Sequence, residues 1–145
     1  MLKLILNKKY NPLFSSEARY FIITGGRGSG KSFAATVFLT LLTMTKGIRI
    51  LFTRYTMTSA HLSIIPEFLE KIGLLGFDEV FSINKSEVLN TSNQSDILFR
   101  GIRTSAGNQT ASLKSLQGIS TWVLDEAEEL VDENIFDTID LSIRE

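Results

Sequence analysis

A chain of 145 residues, with 43% hydrophobic and 21% charged residues, has the length and composition of one globular domain. The absence of cysteine excludes disulfides, thiolate metal sites and a cysteine nucleophile. The sequence has no apolar stretch long enough to span a bilayer, and its net charge of −1 excludes a strong overall attraction to nucleic acid. We therefore expect a cytoplasmic protein.

The charge is distributed unevenly along the chain. Residues 125–145 contain nine of the 16 acidic residues and one of the 15 basic residues, a balance of −8, so residues 1–124 carry +7. An acidic, solvated helix at the end of a mildly basic domain explains this pattern. The mild basicity permits contact with DNA without predicting it.

Predicted strands and helices alternate in the first half of the chain. Residues 19–24 form a continuous apolar run that ends at glycines, which is typical of a buried parallel strand. A helix is expected from Lys31 to about Met44, and a second buried strand over residues 48–53. Another helix is expected over residues 59–72, where Pro66 would start or kink it. Its predicted apolar face consists of Leu62, Ile65, Leu69 and Ile72.

The second half has weaker patterns followed by two clear elements. Residues 80–100 indicate short strands, and residues 104–112 are predicted to be a weakly ordered polar loop. Residues 121–124 form a short buried strand, and a last helix follows Asp132 as its N-cap. The apolar face of that helix consists of Ile135, Phe136, Ile139 and Ile143. This alternation predicts an α/β domain with a mostly parallel sheet flanked by helices.

The residues after the first predicted strand match G-x-x-x-x-G-K-[ST], the P-loop or Walker A pattern, in full. Glycines in this pattern let backbone N–H groups approach phosphate oxygens, and the following helix adds its positive N-terminal end. Lys31 would reach the β- and γ-phosphates, and the Ser32 hydroxyl would ligate magnesium. The pattern predicts a site for magnesium and ATP, formed by Gly25, Gly26, Arg27, Gly28, Ser29, Gly30, Lys31 and Ser32.

Two carboxylates follow the short strand at residues 121–124. Asp125 would lie at the carboxyl end of this strand, where ligands bind in parallel sheets, and would hold the magnesium with Ser32. Glu126 would orient and deprotonate an attacking water. A strand that ends in Asp-Glu is also compatible with a helix cap. The P-loop upstream favours the functional interpretation.

The order of five motifs resembles the ATPase domain of the large terminase subunit of tailed bacteriophages. The resemblance covers residues 19–130, and the middle motifs distinguish terminases from other ATPases. The five motifs are residues 25–32, 50–54, 97–102, 113–115 and 122–127.

The resemblance implies a P-loop NTPase of the class with an additional strand and a catalytic glutamate, acting as an ATP-driven motor that moves viral DNA into a capsid. It implies double-stranded DNA, the portal and the small terminase subunit as partners, self-association in a ring, and the host cytoplasm as the location.

The resemblance also assigns roles to single residues. It makes Glu126 the catalytic carboxylate, Asp125 the magnesium residue and Arg27 a loop arginine that switches between phosphate and carboxylates. Lys114 lies about where a basic finger inserts into the neighbouring subunit, although a lysine lacks the bidentate fork of arginine. Arg100 and Arg103 are the other candidates for this finger. Each of these basic residues is also compatible with a solvated surface charge.

Upstream of the P-loop, the resemblance places Tyr10, Asn11 and Phe14 where related motors hold the adenine ring. Packing of an N-terminal arm explains these three residues equally well.

The chain departs from the family after Glu126. The family has a coupling strand that senses the γ-phosphate, and then a nuclease domain, and both are expected beyond residue 145. We therefore expect residues 1–145 to be a truncated P-loop ATPase domain without nuclease activity. Two alternatives remain open: a helicase-like DNA-translocating ATPase, and a nucleotide-binding module without turnover.

Overall fold

The structure, a computed structural model, describes residues 4–57, 60–104, 107–108, 113 and 116–143. Its strands are β1 (Arg49–Thr56), β2 (Phe81–Ile83), β3 (Glu87–Asn90), β4 (Asp96–Thr104), β5 (Gly107–Asn108) and β6 (Thr121–Leu124). Its helices are α1 (Pro12–Ser15), α2 (Lys31–Leu42), α3 (Ala60–Leu74) and α4 (Glu133–Ser142), with short 3-10 turns at Lys8–Tyr10 and Ala127–Glu129. Within these described ranges, none of the helices has the length and apolarity needed to cross a membrane.

The strands form one mixed sheet in the order β2-β3-β4-β1-β6, and β5 pairs with β4. β1 runs parallel to β4 and to β6, whereas the β2–β3, β3–β4 and β4–β5 pairs are antiparallel. The α/β fold is confirmed and is compatible with a P-loop NTPase. The predicted mostly parallel sheet is wrong, because short turns connect β2 to β3 and β3 to β4, and such turns join antiparallel neighbours.

The prediction of a buried strand over residues 19–24 is also wrong. These residues have no strand structure, and Tyr20, Phe21 and Ile22 are 53%, 39% and 90% exposed. A strand needs a neighbouring backbone to accept and donate its hydrogen bonds. Among the described residues, β6 pairs only with β1, and no strand lies along the 19–24 run. The run is apolar enough for a strand but has no strand to pair with.

The hydrophobic core has two parts, which differ in the helices that they contain. On one side, α2 and α3 contribute to a cluster in which the rings of Phe52, Phe68 and Phe99 lie 5.4–6.0 Å apart. In the other cluster, Ile135 and Ile139 of α4 pack with Leu51. Side chains alternate between the two faces of a strand, so neighbouring residues of β1 contribute to different clusters.

The apolar face of α3 differs in part from the predicted one. Ile65 and Ile72 are buried as predicted, but Leu62 and Leu69 are 73% and 48% exposed. Their places in the core are taken by Ile64 and Phe68, so the buried stripe is rotated around the helix axis. The exposed Pro66 lies inside this helix rather than at its start.

The last helix, α4, matches its prediction. Asp132 is the N-cap, and its side chain accepts a hydrogen bond from the N–H of Asn134. Ile135 and Ile139 are buried, and Phe136 packs against Trp122 with ring centroids 5.1 Å apart.

A group of three charged residues connects the amino ends of β1 and β4 to β3. The Arg49 guanidinium donates to both carboxylate oxygens of Asp96 at 3.1 Å, and Glu87 lies beside Asp96. Burial, together with the hydrogen bond and charge of Asp96, raises the pKa of Glu87 above its usual value. The folded chain therefore holds this proton more tightly than the unfolded chain does. Stability from this group is greatest at low pH and is lost as pH rises through the raised pKa.

We expect Glu87→Gln to melt at a higher temperature than wild type at pH 7, because the amide removes the negative charge that faces Asp96. The difference should shrink towards pH 4, where Glu87 is increasingly protonated in both states. Thermal melts of both proteins over pH 4–8 test this, with the exposed Glu79→Gln as control. Equal pH dependence of Glu87→Gln and wild type would contradict the assignment.

Candidate functional site

The P-loop forms a turn between the 19–24 run and α2. Gly28 and Gly30 have φ values of 76° and 79°, in the left-handed region that favours glycine. A Cβ at Gly25 would lie 2.7 Å from Ser29 Oγ, so a side chain there would push this hydroxyl away. The turn encloses a cleft of about 370 Å³, which is lined by residues 26–33.

The polar groups of this turn suit a phosphate. Ser29 Oγ is buried and has no hydrogen-bond partner within the described residues. Gly30 is the N-cap of α2 and has no side chain that could cap the first N–H groups of the helix. The Lys31 ammonium donates to the Gly25 carbonyl at 2.7 Å across the turn. Phosphate oxygens accept hydrogen bonds from all three kinds of donor.

Tyr10 supports the turn from outside. Its ring is buried, and its hydroxyl donates to the Ser29 carbonyl at 2.8 Å. Phe14, on the same N-terminal arm, packs edge-on against Phe38 of α2 at 5.3 Å. These contacts agree with the packing interpretation of the arm, and sequence reasoning missed the contact between Tyr10 and the P-loop.

The direction of α2 determines where its first turn lies. Its C-terminal end is held at the amino ends of the parallel strands: the Thr43 carbonyl accepts from the side-chain amides of Asn90 and Asn93, and the Thr45 carbonyl accepts from Ser95 Oγ. β4 begins at the next residue, Asp96. The first turn of α2, and with it the P-loop, therefore lies about 18 Å along the helix from these amino ends.

Asp125 lies at the carboxyl end of β6, immediately after the last residue of this strand. Its backbone N–H donates to the Thr53 carbonyl at 2.9 Å. Thr53 is fully buried; its hydroxyl donates to the Val123 carbonyl and accepts from Trp122 Nε1, both at 2.9 Å. Thr53 therefore fixes the end of β6 that carries Asp125. The signal for this role was a threonine at the end of the strand predicted over residues 48–53.

The next residue, Glu126, is exposed and has an unusual backbone conformation. Its φ of 52° and ψ of 50° are left-handed, a conformation that side chains other than glycine, asparagine and aspartate rarely adopt. This turn carries the chain from β6 into the 3-10 turn at Ala127–Glu129. Strained residues of this kind are concentrated at functional sites.

Arg54 contacts Asp125, and the sequence analysis did not predict this contact. Its Nε lies 2.7 Å from Asp125 Oδ2. The two oxygen groups predicted to hold magnesium, the Ser32 hydroxyl and the Asp125 carboxylate, are of the type that this ion prefers.

The remaining candidates lie around this edge or outside the described residues. Arg27 is exposed in the P-loop, and Arg103 is exposed on β4. Arg100 Nη1 donates to the Phe99 carbonyl at 2.8 Å. Lys114 and most of residues 104–112 lie outside the described residues, so the role of Lys114 stays a prediction. The described part of 104–112 differs from the predicted loop, because Gly107–Asn108 forms β5 and pairs with the end of β4.

Comparison with known proteins gives one family. The model of the family described as "Phage terminase large subunit" matches residues 17–145. The chain is also 25% identical, over 150 aligned residues, to a protein named "Terminase, large subunit" from Bacillus phage SPP1. That alignment covers 93% of this chain and 34% of the SPP1 protein, so the chain spans about a third of the length of this relative.

Proposed function

Because the chain belongs to the phage terminase large subunit family, we propose that it binds ATP with magnesium and hydrolyses it as the motor part of a DNA-packaging enzyme. The observation that carries this proposal is the P-loop cleft lined by residues 26–33, in which Ser29 Oγ is buried without a hydrogen-bond partner among the described residues.

Binding in this proposal uses the groups of the P-loop. Backbone N–H groups around Gly28 and Gly30 face the phosphates, and Ser29 Oγ supplies a further donor. Lys31 leaves the Gly25 carbonyl and places its ammonium on the β- and γ-phosphates. Ser32 and Asp125 would hold magnesium, which would neutralise charge on the phosphates.

Hydrolysis in this proposal depends on Glu126. Its exposed carboxylate accepts a proton from the attacking water, and the fixed end of β6 holds its backbone in place. Arg27 and Lys114 add positive charge to the transition state, Arg27 from within the P-loop and Lys114 from a neighbouring subunit.

The base of the nucleotide has a proposed place beside the N-terminal arm. A second cleft of about 280 Å³ is bounded by Tyr10 and Leu13 of the arm and by Phe21 and Ile23. Its apolar walls suit a purine ring, and Tyr10 connects it to the P-loop through Ser29.

The partners are proposed at the level of the whole protein. We propose that double-stranded DNA is the moved substrate, that the portal and the small terminase subunit are partners, that subunits associate in a ring, and that the host cytoplasm is the location. The family match favours DNA packaging over the helicase-like alternative.

We expect Asp125→Asn to weaken ATP binding about tenfold in the presence of magnesium and to leave binding in EDTA unchanged. The amide keeps the shape of the side chain but loses the charge that attracts the metal. Titration calorimetry measures the ATP affinity of each protein, once in magnesium and once in EDTA.

Asp132→Asn is the matched control for Asp125→Asn, because asparagine also caps helices and the same charge is removed seven residues away. This control should bind as wild type does. If wild type shows no magnesium-dependent ATP binding, the proposed function is wrong.

A further inference from the structure

The Arg54–Asp125 ion pair joins the end of β1 to the residue that follows β6. Arg54 Nε lies 2.7 Å from Asp125 Oδ2, a short distance that is typical of a charged hydrogen bond. The two side chains are 26% and 32% exposed, so water screens the pair only in part.

The backbone on both sides of this pair is fixed. Thr53, next to Arg54, accepts from the Asp125 N–H and donates to the Val123 carbonyl. Arg54 itself lies in the paired part of β1, opposite Gly101 of β4. The carboxylate of Asp125 is therefore held from two directions: Thr53 sets the position of its backbone, and Arg54 sets the direction of its side chain.

We propose that Arg54 is a positioning residue that holds the Asp125 carboxylate in the nucleotide-free chain and competes with magnesium for it. This inference rests on the proposed function, because it assumes that Asp125 faces the metal of a bound nucleotide. A guanidinium and a magnesium ion are both cations, and both need the oxygens of the same carboxylate. Magnesium must therefore displace Arg54 or share Asp125 with it.

The competition has a calculable effect on metal affinity. If the ion pair is closed in about 70–90% of nucleotide-free molecules, the apparent affinity for magnesium falls about 3- to 10-fold, because only the open fraction is competent. The same ion pair keeps the Asp125 carboxylate oriented before the nucleotide binds. Arg54 would then respond to occupancy of the site, since metal binding frees its guanidinium.

β1 provides a matched comparison at its other end. Arg49 pairs with Asp96 of the neighbouring strand, with both nitrogen–oxygen distances at 3.1 Å. This second arginine–aspartate pair lies at the amino ends of the strands, far from the P-loop. It contributes to the fold in a similar way but has no access to the proposed metal.

The test is a magnesium titration at a fixed concentration of a fluorescent ATP analogue. Arg54→Met should lower the magnesium concentration for half-maximal binding about 3- to 10-fold. Arg54→Lys keeps the charge and should remain closer to wild type. Arg49→Met should lower the melting temperature of the nucleotide-free chain without moving the magnesium midpoint.

Melting of the nucleotide-free proteins shows that each variant is folded before it is titrated, and Arg54→Gln replaces Arg54→Met if methionine prevents folding. If wild type binds the analogue and the folded Arg54 variant has an unchanged or higher magnesium midpoint, the competition is overturned while the proposed function stands. If wild type does not bind the analogue with magnesium, the proposed function fails and this inference fails with it.

Discussion

Lys31→Ala is expected to weaken ATP binding about 10- to 100-fold, because hydrogen bonds to charged groups contribute about 1.5–3 kcal/mol. In the structure the ammonium already lies inside the P-loop, 2.7 Å from the Gly25 carbonyl. Only a short movement is needed for it to exchange this carbonyl for a phosphate. Equilibrium binding of a fluorescent ATP analogue in magnesium measures the loss.

Lys46→Ala is the control for this experiment. Lys46 is exposed beyond the opposite end of α2, so the variant removes the same charge without touching the P-loop. It should bind as wild type does. A Lys31→Ala protein that is folded and binds magnesium–ATP with wild-type affinity would show that the P-loop is not part of the nucleotide site.

Glu126→Gln is expected to lower ATP turnover about 10²- to 10⁴-fold and to leave ATP affinity within about twofold of wild type. The amide has the shape of the carboxylate but cannot accept the proton of the attacking water. The side chain is exposed, and no hydrogen bond of the fold is lost through it in the described residues. Steady-state hydrolysis by the whole protein, paired with analogue binding, separates the two effects.

Glu129→Gln is the matched control, since Glu129 is exposed at the end of the same 3-10 turn. It should retain turnover. Wild-type turnover by Glu126→Gln would assign the catalytic carboxylate to another residue, and a parallel loss of affinity would give Glu126 a role in binding instead.

The elements that the sequence predicted well are those with a strong local pattern. α2 follows the glycines of the P-loop as predicted, β6 ends immediately before Asp125, and α4 starts after the cap at Asp132. In each of these elements, short-range chemistry determines where the element begins or ends, although β6 is half-buried and not buried as predicted. Glycines allow left-handed turns, an apolar run ends where charge begins, and a carboxylate accepts from a free N–H.

The elements that the sequence predicted poorly depend on partners elsewhere in the chain. An apolar run such as residues 19–24 indicates a strand, but pairing requires a neighbour that the run itself does not specify. The predicted apolar face of α3 was wrong in part for a related reason. Leu62, Ile64, Ile65 and Phe68 are all apolar, so more than one face had helical spacing and only packing selects between them.

The contacts within the site were the least predictable. Tyr10 lies 19 residues before the Ser29 carbonyl that it contacts, and Arg54 lies 71 residues before Asp125. Such pairs form because strand order brings distant segments together. Residue spacing along the chain contains no record of that order. The sequence therefore located the P-loop and the two carboxylates but not the residues that hold them.

At Glu126 the left-handed backbone lowers the stability of the fold, while the side chain is needed for the proposed hydrolysis. A glutamate in this conformation costs about 1–2 kcal/mol relative to a relaxed backbone, and glycine would remove most of that strain. A search for more heat-resistant forms of this chain would therefore favour glycine at position 126. Sequence optimisation guided by stability alone would discard the carboxylate on which the proposed hydrolysis depends.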